Sequence, residues 1–157
     1  MITITESYDN ELIRQFIFAP GLEDQVMYQG LDPTKYQAPT HSIHLLGYDD
    51  GEPLGCLVLS ARTSILYDAH FSIMPKYFGT GKSVELVHAC RDWILARGLP
   101  RVKLLLQLPK TAKYAQTLAY RIGAHLDGTI KKCIIRHNGQ LDDCYIFTYD
   151  INQEGIK

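Results

Sequence analysis

The feature that most constrains this chain is the turn Tyr77-Phe78-Gly79-Thr80-Gly81-Lys82-Ser83. It joins a strand-like segment ending at Pro75 to a helix-like segment starting at Ser83. The start of a helix carries backbone N–H groups without partners and a partial positive charge, so it suits an anion. Glycines at 79 and 81 let the backbone curl around such an anion and approach it closely. Lys76 and Lys82 add charge on either side, and Ser83 is placed to cap the helix or donate to an oxygen. Strand, glycine turn and helix in this order predict a phosphate-bearing ligand.

Spacing removes two readings of that turn. Gly81-Lys82-Ser83 ends like a triphosphate-binding loop, but the glycine required five residues before Gly81 is Lys76. A dinucleotide-binding loop needs a third glycine and a following acidic strand, and neither stands in place.

The rest of the chain alternates between the two periods of regular structure. Ile2 and Ile4 predict a short first strand, and Leu12, Ile13, Phe16 and Ile17 a helix stopped by Pro20-Gly21. A weaker helical stretch covers Gly21 to Gln29. Ser42–Tyr48 and Leu54–Ser60 read as a hairpin around Asp49-Asp50-Gly51-Glu52-Pro53. Ile65 to Met74 is the next strand, with Tyr67, Ala69, Phe71 and Ile73 on one face and Leu66, Asp68, His70 and Ser72 on the other. Ser83–Ala96 reads as a helix stopped by Gly98 and Pro100, Arg101–Leu108 as a central strand, and Thr111–Ile122 as a helix closed by Gly123. Ala124–Leu126 is short and extended, and Thr129–Arg136 and Asp142–Tyr149 flank the hairpin signal Asn138-Gly139. The order predicts an α+β fold in a single domain, 1–157.

Composition narrows the function. With 46% hydrophobic and 21% charged residues, the chain has the makeup of a globular domain. A net charge of -1, with basic residues scattered over several elements, argues against general nucleic-acid binding. No apolar run approaches the ~20 residues that span a bilayer. The N-terminus lacks a signal-peptide pattern, so a cytoplasmic location is expected. Cys56, Cys90, Cys133 and Cys144 form no Cys-x-x-Cys pair and are expected to be free structural thiols. His41 and His44 face opposite ways in a strand and no acidic or cysteine cluster joins them, so no metal is expected.

Lys76-Tyr77-Phe78-Gly79-Thr80-Gly81 resembles the Gln/Arg-x-x-Gly-x-Gly/Ala turn of the GCN5-related N-acetyltransferase (GNAT) superfamily, with both glycines matched. Phe71-Ser72-Ile73-Met74-Pro75 resembles that family's splayed strand, and Leu118-Ala119-Tyr120-Arg121-Ile122-Gly123-Ala124 its segment ending in Leu-Gly-Phe. The resemblance covers Ser42 to Asp150. It is also faintly similar to small bacteriophage proteins of this fold, which would place the protein in a host cytoplasm. The resemblance implies a mixed, mostly antiparallel twisted sheet flanked by helices, binding acetyl-CoA. The residues implied for the cosubstrate are Ile73, Met74, Lys76, Phe78, Gly79, Thr80, Gly81, Lys82 and Ser83.

Three positions depart from the family pattern. Lys76 replaces the usual Gln or Arg, Ala112 stands where an asparagine is often seen near the start of the Thr111–Ile122 helix, and Ala119 stands where a tyrosine often serves as acid toward the CoA sulfur. Tyr120 lies one residue later, about 100° around a helix.

Acetyl transfer needs the thioester held beside a neutral amine, a donor for the developing oxyanion, and routes for protons. A backbone N–H near Ile73 or Met74 is expected to be the oxyanion donor. Asp68 and His70 are the candidate bases; Tyr120, with Tyr114, is the candidate acid. Tyr36, Tyr48 and Tyr67 are candidates for a substrate cleft. The expected function is transfer of acetyl from acetyl-CoA to a small-molecule or protein amine, with a homodimer as one possible state. The alternative is a non-catalytic GNAT-fold protein for binding, virion assembly or host interaction.

Overall fold

A computed structural model describes residues 1–23, 30–99 and 101–152. Its seven-stranded sheet runs in the order β1-β2-β3-β4-β5-β7-β6. The strands are β1 (Ile2–Glu6), β2 (Ile43–Asp49), β3 (Glu52–Ala61), β4 (Leu66–Ile73), β5 (Lys103–Pro109), β6 (His125–Ile135) and β7 (Leu141–Asp150). Among the described residues three α-helices flank it: α1 (Asn10–Ile17), α2 (Lys82–Ala96) and α3 (Lys113–Arg121). The helix expected over 21–29 lies largely outside the described residues, as does Pro100.

Local chemistry explains the element ends. Asp9 caps α1, its Oδ1 accepting the N–H of Glu11 at 3.0 Å and of Leu12 at 3.2 Å. Asp50 (φ 48°) and Gly51 (φ 86°) make the tight turn between β2 and β3. Pro75 ends β4 and opens a single 3₁₀ turn, Pro75–Tyr77. Gln116, buried on α3, donates through Nε2 to the carbonyls of Pro109 at 2.9 Å and Lys110 at 2.8 Å, pinning the helix to the end of β5.

Strand alternation sends alternate side chains to two cores. Leu45, Leu57, Ala69, Ile73, Leu104, Leu106 and Phe147 pack with Leu86, Val87, Cys90 and Ile94 of α2 and Leu118 of α3. On the opposite face Leu46, Cys56 and Val58 pack with Ile13 and Phe16 of α1. The alternation expected along β4 is observed: Ala69 and Ile73 enter the first core, while Ser72 Oγ donates to the Phe16 carbonyl on the α1 side at 3.3 Å.

Every strand pair is antiparallel except β4–β5, which is parallel and joined by the crossover through α2. That pair is short. Leu66, Tyr67 and Asp68 register with Lys103, Leu104 and Leu105, and then the strands separate. β4 stays on β3 as far as Ile73, while β5 stays on β7 as far as Pro109. Each strand follows its own antiparallel partner, and a wedge opens between them.

Two expectations are corrected. The short segment after Gly123 and the first arm of the last hairpin are one strand, β6, carried past Asp127 and the segment 131–133 by register shifts rather than broken there. Cys133 and Cys144 are not free: they form a disulfide between β6 and β7. Cys56 and Cys90 are the buried free thiols.

Candidate active site

The wedge between β4 and β5 is a cleft of ≈ 570 Å³, large enough for an extended ligand. It runs through the sheet. On the α2 and α3 side its walls are Val87, Leu106, Leu108, Ala115, Leu118 and Ala119. On the α1 side they are Ile17, Phe18, Tyr36 and Pro39, with Asp68 and His70 on the strand between. Two substrates can therefore enter from opposite faces and meet at the gap. Tyr36 lines the cleft, whereas Tyr48 and Tyr67 do not.

The glycine turn leads from the end of β4 into α2. Gly79 (φ 74°) and Gly81 (φ 83°) are both in the left-handed region, where a side chain is strained. A Cβ at either would meet no protein atom within 4 Å, so the space in front of the turn is open. Gly81 is the N-cap of α2 and offers no side-chain cap. Ser83 does not cap the helix; it is buried within the first turn. Among the described residues, the N–H groups of Gly79, Gly81 and Ser83 have no acceptor, while that of Lys82 leans on Thr80 Oγ1 at 3.3 Å.

Both flanking lysines are engaged. Lys82 Nζ lies 3.4 Å from Asp49 and 3.2 Å from Glu85, and Lys76 Nζ 3.6 Å from Glu52. Bonding to Glu85 and Asp49 raises the Lys82 pKa, fixing its charge. The anion-seeking groups of the turn are thus chiefly backbone N–H.

Backbone alternation on β4 separates Ile73 from Met74. The Met74 N–H donates to the Leu54 carbonyl at 2.8 Å, so it points toward β3. The N–H of Ile73 therefore points the other way, into the gap that β5 has left.

Asp68 and His70 share the α1 face of β4 and both line the cleft. Arg62 Nε holds both Asp68 oxygens at 2.7 Å. His70 is open to the cleft but ringed by protein, and burial lowers its pKa while the Asp68 charge opposes the shift. A histidine in that state is neutral near pH 7 and can accept a proton.

The two tyrosines of α3 part company. Tyr120 is 61% exposed, packs edge-on against Phe147 with centroids 5.2 Å apart, and does not line the cleft; Ala119 does. The 100° step between consecutive helical residues accounts for this. Tyr114 lines the cleft and stacks on Phe78 of the glycine turn at 4.4 Å. Its hydroxyl is buried and has no hydrogen-bond partner among the described residues. Arg62, which orients Asp68, carried no sequence signal because it lies in the loop before β4.

The GNAT acetyltransferase family model matches residues 7–120. The chain belongs to the GNAT acetyltransferase family. No curated protein sequence matches it. Its fold is that of solved GNAT structures. Spermidine N-acetyltransferase from Vibrio cholerae, solved with CoA and spermine, is 15% identical with a TM-score of 0.74, covering 96% of each chain. The Salmonella typhimurium acetyl transferase that modifies the N-terminal serine of L7/L12 is 13% identical with a TM-score of 0.74, covering 94% of each. A GNAT-family acetyltransferase from Streptococcus pneumoniae is 18% identical with a TM-score of 0.70, covering 96% of this chain and 99% of that one.

GNAT acetyltransferases use acetyl-CoA, and the residues present fit it. The open N–H cradle suits a pyrophosphate, the apolar wedge a pantetheine arm, and the unpartnered Tyr114 hydroxyl a polar group on that arm. Among the described residues there is no cluster of metal-ligating side chains, and no helix is long and apolar enough to cross a membrane.

Proposed function

We propose that this GNAT protein transfers an acetyl group from acetyl-CoA to a primary amine carried on an apolar group. One observation carries the reading: a single cleft passes through the sheet, walled on one side by Tyr114, which stacks on Phe78 of the glycine turn, and on the other by a neutral histidine. The bound cosubstrate supplies an activated acetyl thioester. The N–H groups of Gly79, Gly81 and Ser83 hold its pyrophosphate, and Tyr114, fixed beside the turn by Phe78, holds the arm. Lys76, Phe78, Thr80 and Lys82 shape the cradle, with the lysines acting at a distance.

His70 takes the proton from the incoming amine, directly or through one water. Asp68, held in place by Arg62, steadies the imidazolium that results. The Ile73 N–H donates to the carbonyl oxygen as it becomes negative, while Met74, its N–H committed to Leu54, packs against the α1-side core and does not line the cleft. No tyrosine of α3 is assigned to the sulfur. A thiolate is a far better leaving group than an amide nitrogen, so water can supply the proton to the sulfur.

The acceptor side favours an apolar amine. Its described walls are Ile17, Phe18, Tyr36 and Pro39, and Asp68 is already neutralised by Arg62. A polyamine would find few carboxylates to hold its further charges. The protein acts in a cytoplasm, a host's if the chain is phage-borne. Thiol release from acetyl-CoA, followed with phenethylamine, an apolar N-terminal peptide and spermidine as acceptors, tests this. Turnover with the first two above spermidine supports it; spermidine as the preferred acceptor contradicts it. The displacement of Tyr120 from the cleft favours one rival, a non-catalytic GNAT-fold binder, which predicts no turnover with any amine.

A further inference from the structure

We infer that Cys133 and Cys144 form a reversible thiol–disulfide site that sets one wall of the acceptor side of the cleft. The proposal concerns control of the cleft and does not depend on acetyl transfer being the reaction. The two residues face each other across β6 and β7, with Cα atoms 6.2 Å apart. Cys144 is fully buried and lines the cleft together with Ile134 and Gln107. Gln107 Nε2 lies 3.6 Å from Cys144 Sγ and 3.9 Å from Cys133 Sγ. Gln107 and Leu105 share a face of β5, and Leu105 registers with Asp68. The sulfur pair thus sits on the same face of the sheet as the Asp68–His70 pair.

The local backbone explains how the pair meets and why it matters. Ile130 registers with Cys144 and Ile134 with Asp142, so β6 carries an insertion at 131–133 that has no place in the ladder. Lys132 within it has φ 47°, uncommon for a residue with a side chain. Among the described residues, two residues of β7 hold the side chains and backbone of this insertion. Asp143 accepts the Lys132 N–H at 2.9 Å and lies 3.7 Å from Lys131 Nζ, and Cys144 is bonded to Cys133. Breaking the disulfide leaves Asp143.

The other cysteines do not compete. Cys56 and Cys90 are buried, and burial pushes the Cys56 thiol up to about 12 and Cys90 higher still. Such thiols are inert. Cys133 is half-buried and within reach of solvent.

Glutathione disulfide serves as oxidant. The Cys133 thiolate attacks one sulfur of it, forming a mixed disulfide and releasing one glutathione thiolate. The Cys144 thiolate then attacks Cys133 Sγ, closing the Cys133–Cys144 bond and releasing the second glutathione. Two protein thiols are oxidised, one disulfide is reduced to two glutathiones, and the two protons leave with them.

The test uses the full chain in buffers of reduced and oxidised glutathione, alkylated and weighed, with amide hydrogen exchange measured in each state. With acid quenching and denaturation before alkylation, residues 133 and 144 should convert together and reversibly with the glutathione ratio, while 56 and 90 stay reduced at every ratio. Reduction should speed exchange of 130–135 and 142–145 by at least ~threefold, leaving 79–85 unchanged. Cys133→Ser and Cys144→Ser should each reproduce the reduced pattern under oxidising conditions. A pair locked oxidised or locked reduced at every glutathione ratio overturns the reversible site. Equal exchange in the two states overturns the wall. Neither outcome bears on whether acetyl-CoA binds.

Discussion

Arg62 Nε stands 2.7 Å from each carboxylate oxygen of Asp68, two residues along β4 from His70. This bond decides which of the two acidic and basic candidates does which job. A carboxylate held by a guanidinium is a poor proton acceptor, but its charge still reaches the neighbouring ring. The rate should fall as pH drops through the His70 pKa, which burial places below the ordinary 6.5. Asp68 opposes that lowering, so Asp68→Asn should move the acid limb of kcat/KM to lower pH. His70→Ala should remove the limb and cost about 10²–10³-fold. A pH profile of kcat/KM for the three proteins checks this; an unmoved limb in Asp68→Asn sinks the pairing.

Lys76 and Lys82 are salt-bridged to acids of their own, so each adds little net charge at the cradle. Lys76→Ala and Lys82→Ala should each weaken CoA binding by less than ~threefold in calorimetry, as expected of an exposed, partly neutralised charge. A loss of more than tenfold for either would give the lysines the role assigned here to the backbone.

The turn and its flanking elements were legible in the sequence because their signals are local. Pro75, the positive-φ glycines and the Leu86, Val87, Cys90 and Ile94 spacing each act over a few residues. The two faces of β4 followed from alternation alone. What stayed hidden depends on contacts distant in sequence. The Cys133–Cys144 bond arises from an insertion in β6 that no composition signal marks. The preference for Ile73 over Met74 is set by Leu54, and the role of Asp68 by Arg62. Tyr120 and Tyr114 look equivalent in sequence, and only the rotation of α3 against the sheet tells them apart.

Gly55 has no room for a side chain. A Cβ there would lie 2.4 Å from the Ser72 carbonyl oxygen and 2.7 Å from Leu86 Cδ2. At Gly47 the tightest contact, 2.2 Å, is to the free end of Leu86. Gly55→Ala must push backbone of β4 aside and should cost about 3 kcal/mol, whereas Gly47→Ala, met by a side chain that can turn, should cost about 1 kcal/mol. Urea midpoints at constant m measure both. Equal losses would contradict the distinction between backbone and side-chain obstruction.

His44 is fully buried on β2, and among the described residues neither ring nitrogen makes a well-aligned hydrogen bond, the Ser42 backbone offering only a weak one. Burial lowers its pKa, with the Ser42 backbone opposing in part. The folded protein keeps it neutral while the unfolded chain takes up a proton below about 6.5. Stability is therefore complete above that pH and declines as pH falls toward the folded pKa. Tm measured from pH 7.5 to 5 should fall less steeply for His44→Leu than for the unaltered protein. Parallel curves would remove His44 from the account.

The central claim is that the glycine turn and the β4–β5 wedge bind acetyl-CoA through backbone N–H groups. Calorimetric titration of acetyl-CoA into the unaltered protein and into Gly81→Val tests it most directly. The account predicts saturable 1:1 binding to the first, and a loss of at least ~tenfold in the second, whose side chain is strained at φ 83° and crowds the cradle. No heat of binding with the unaltered protein, or equal affinity in both, would contradict it.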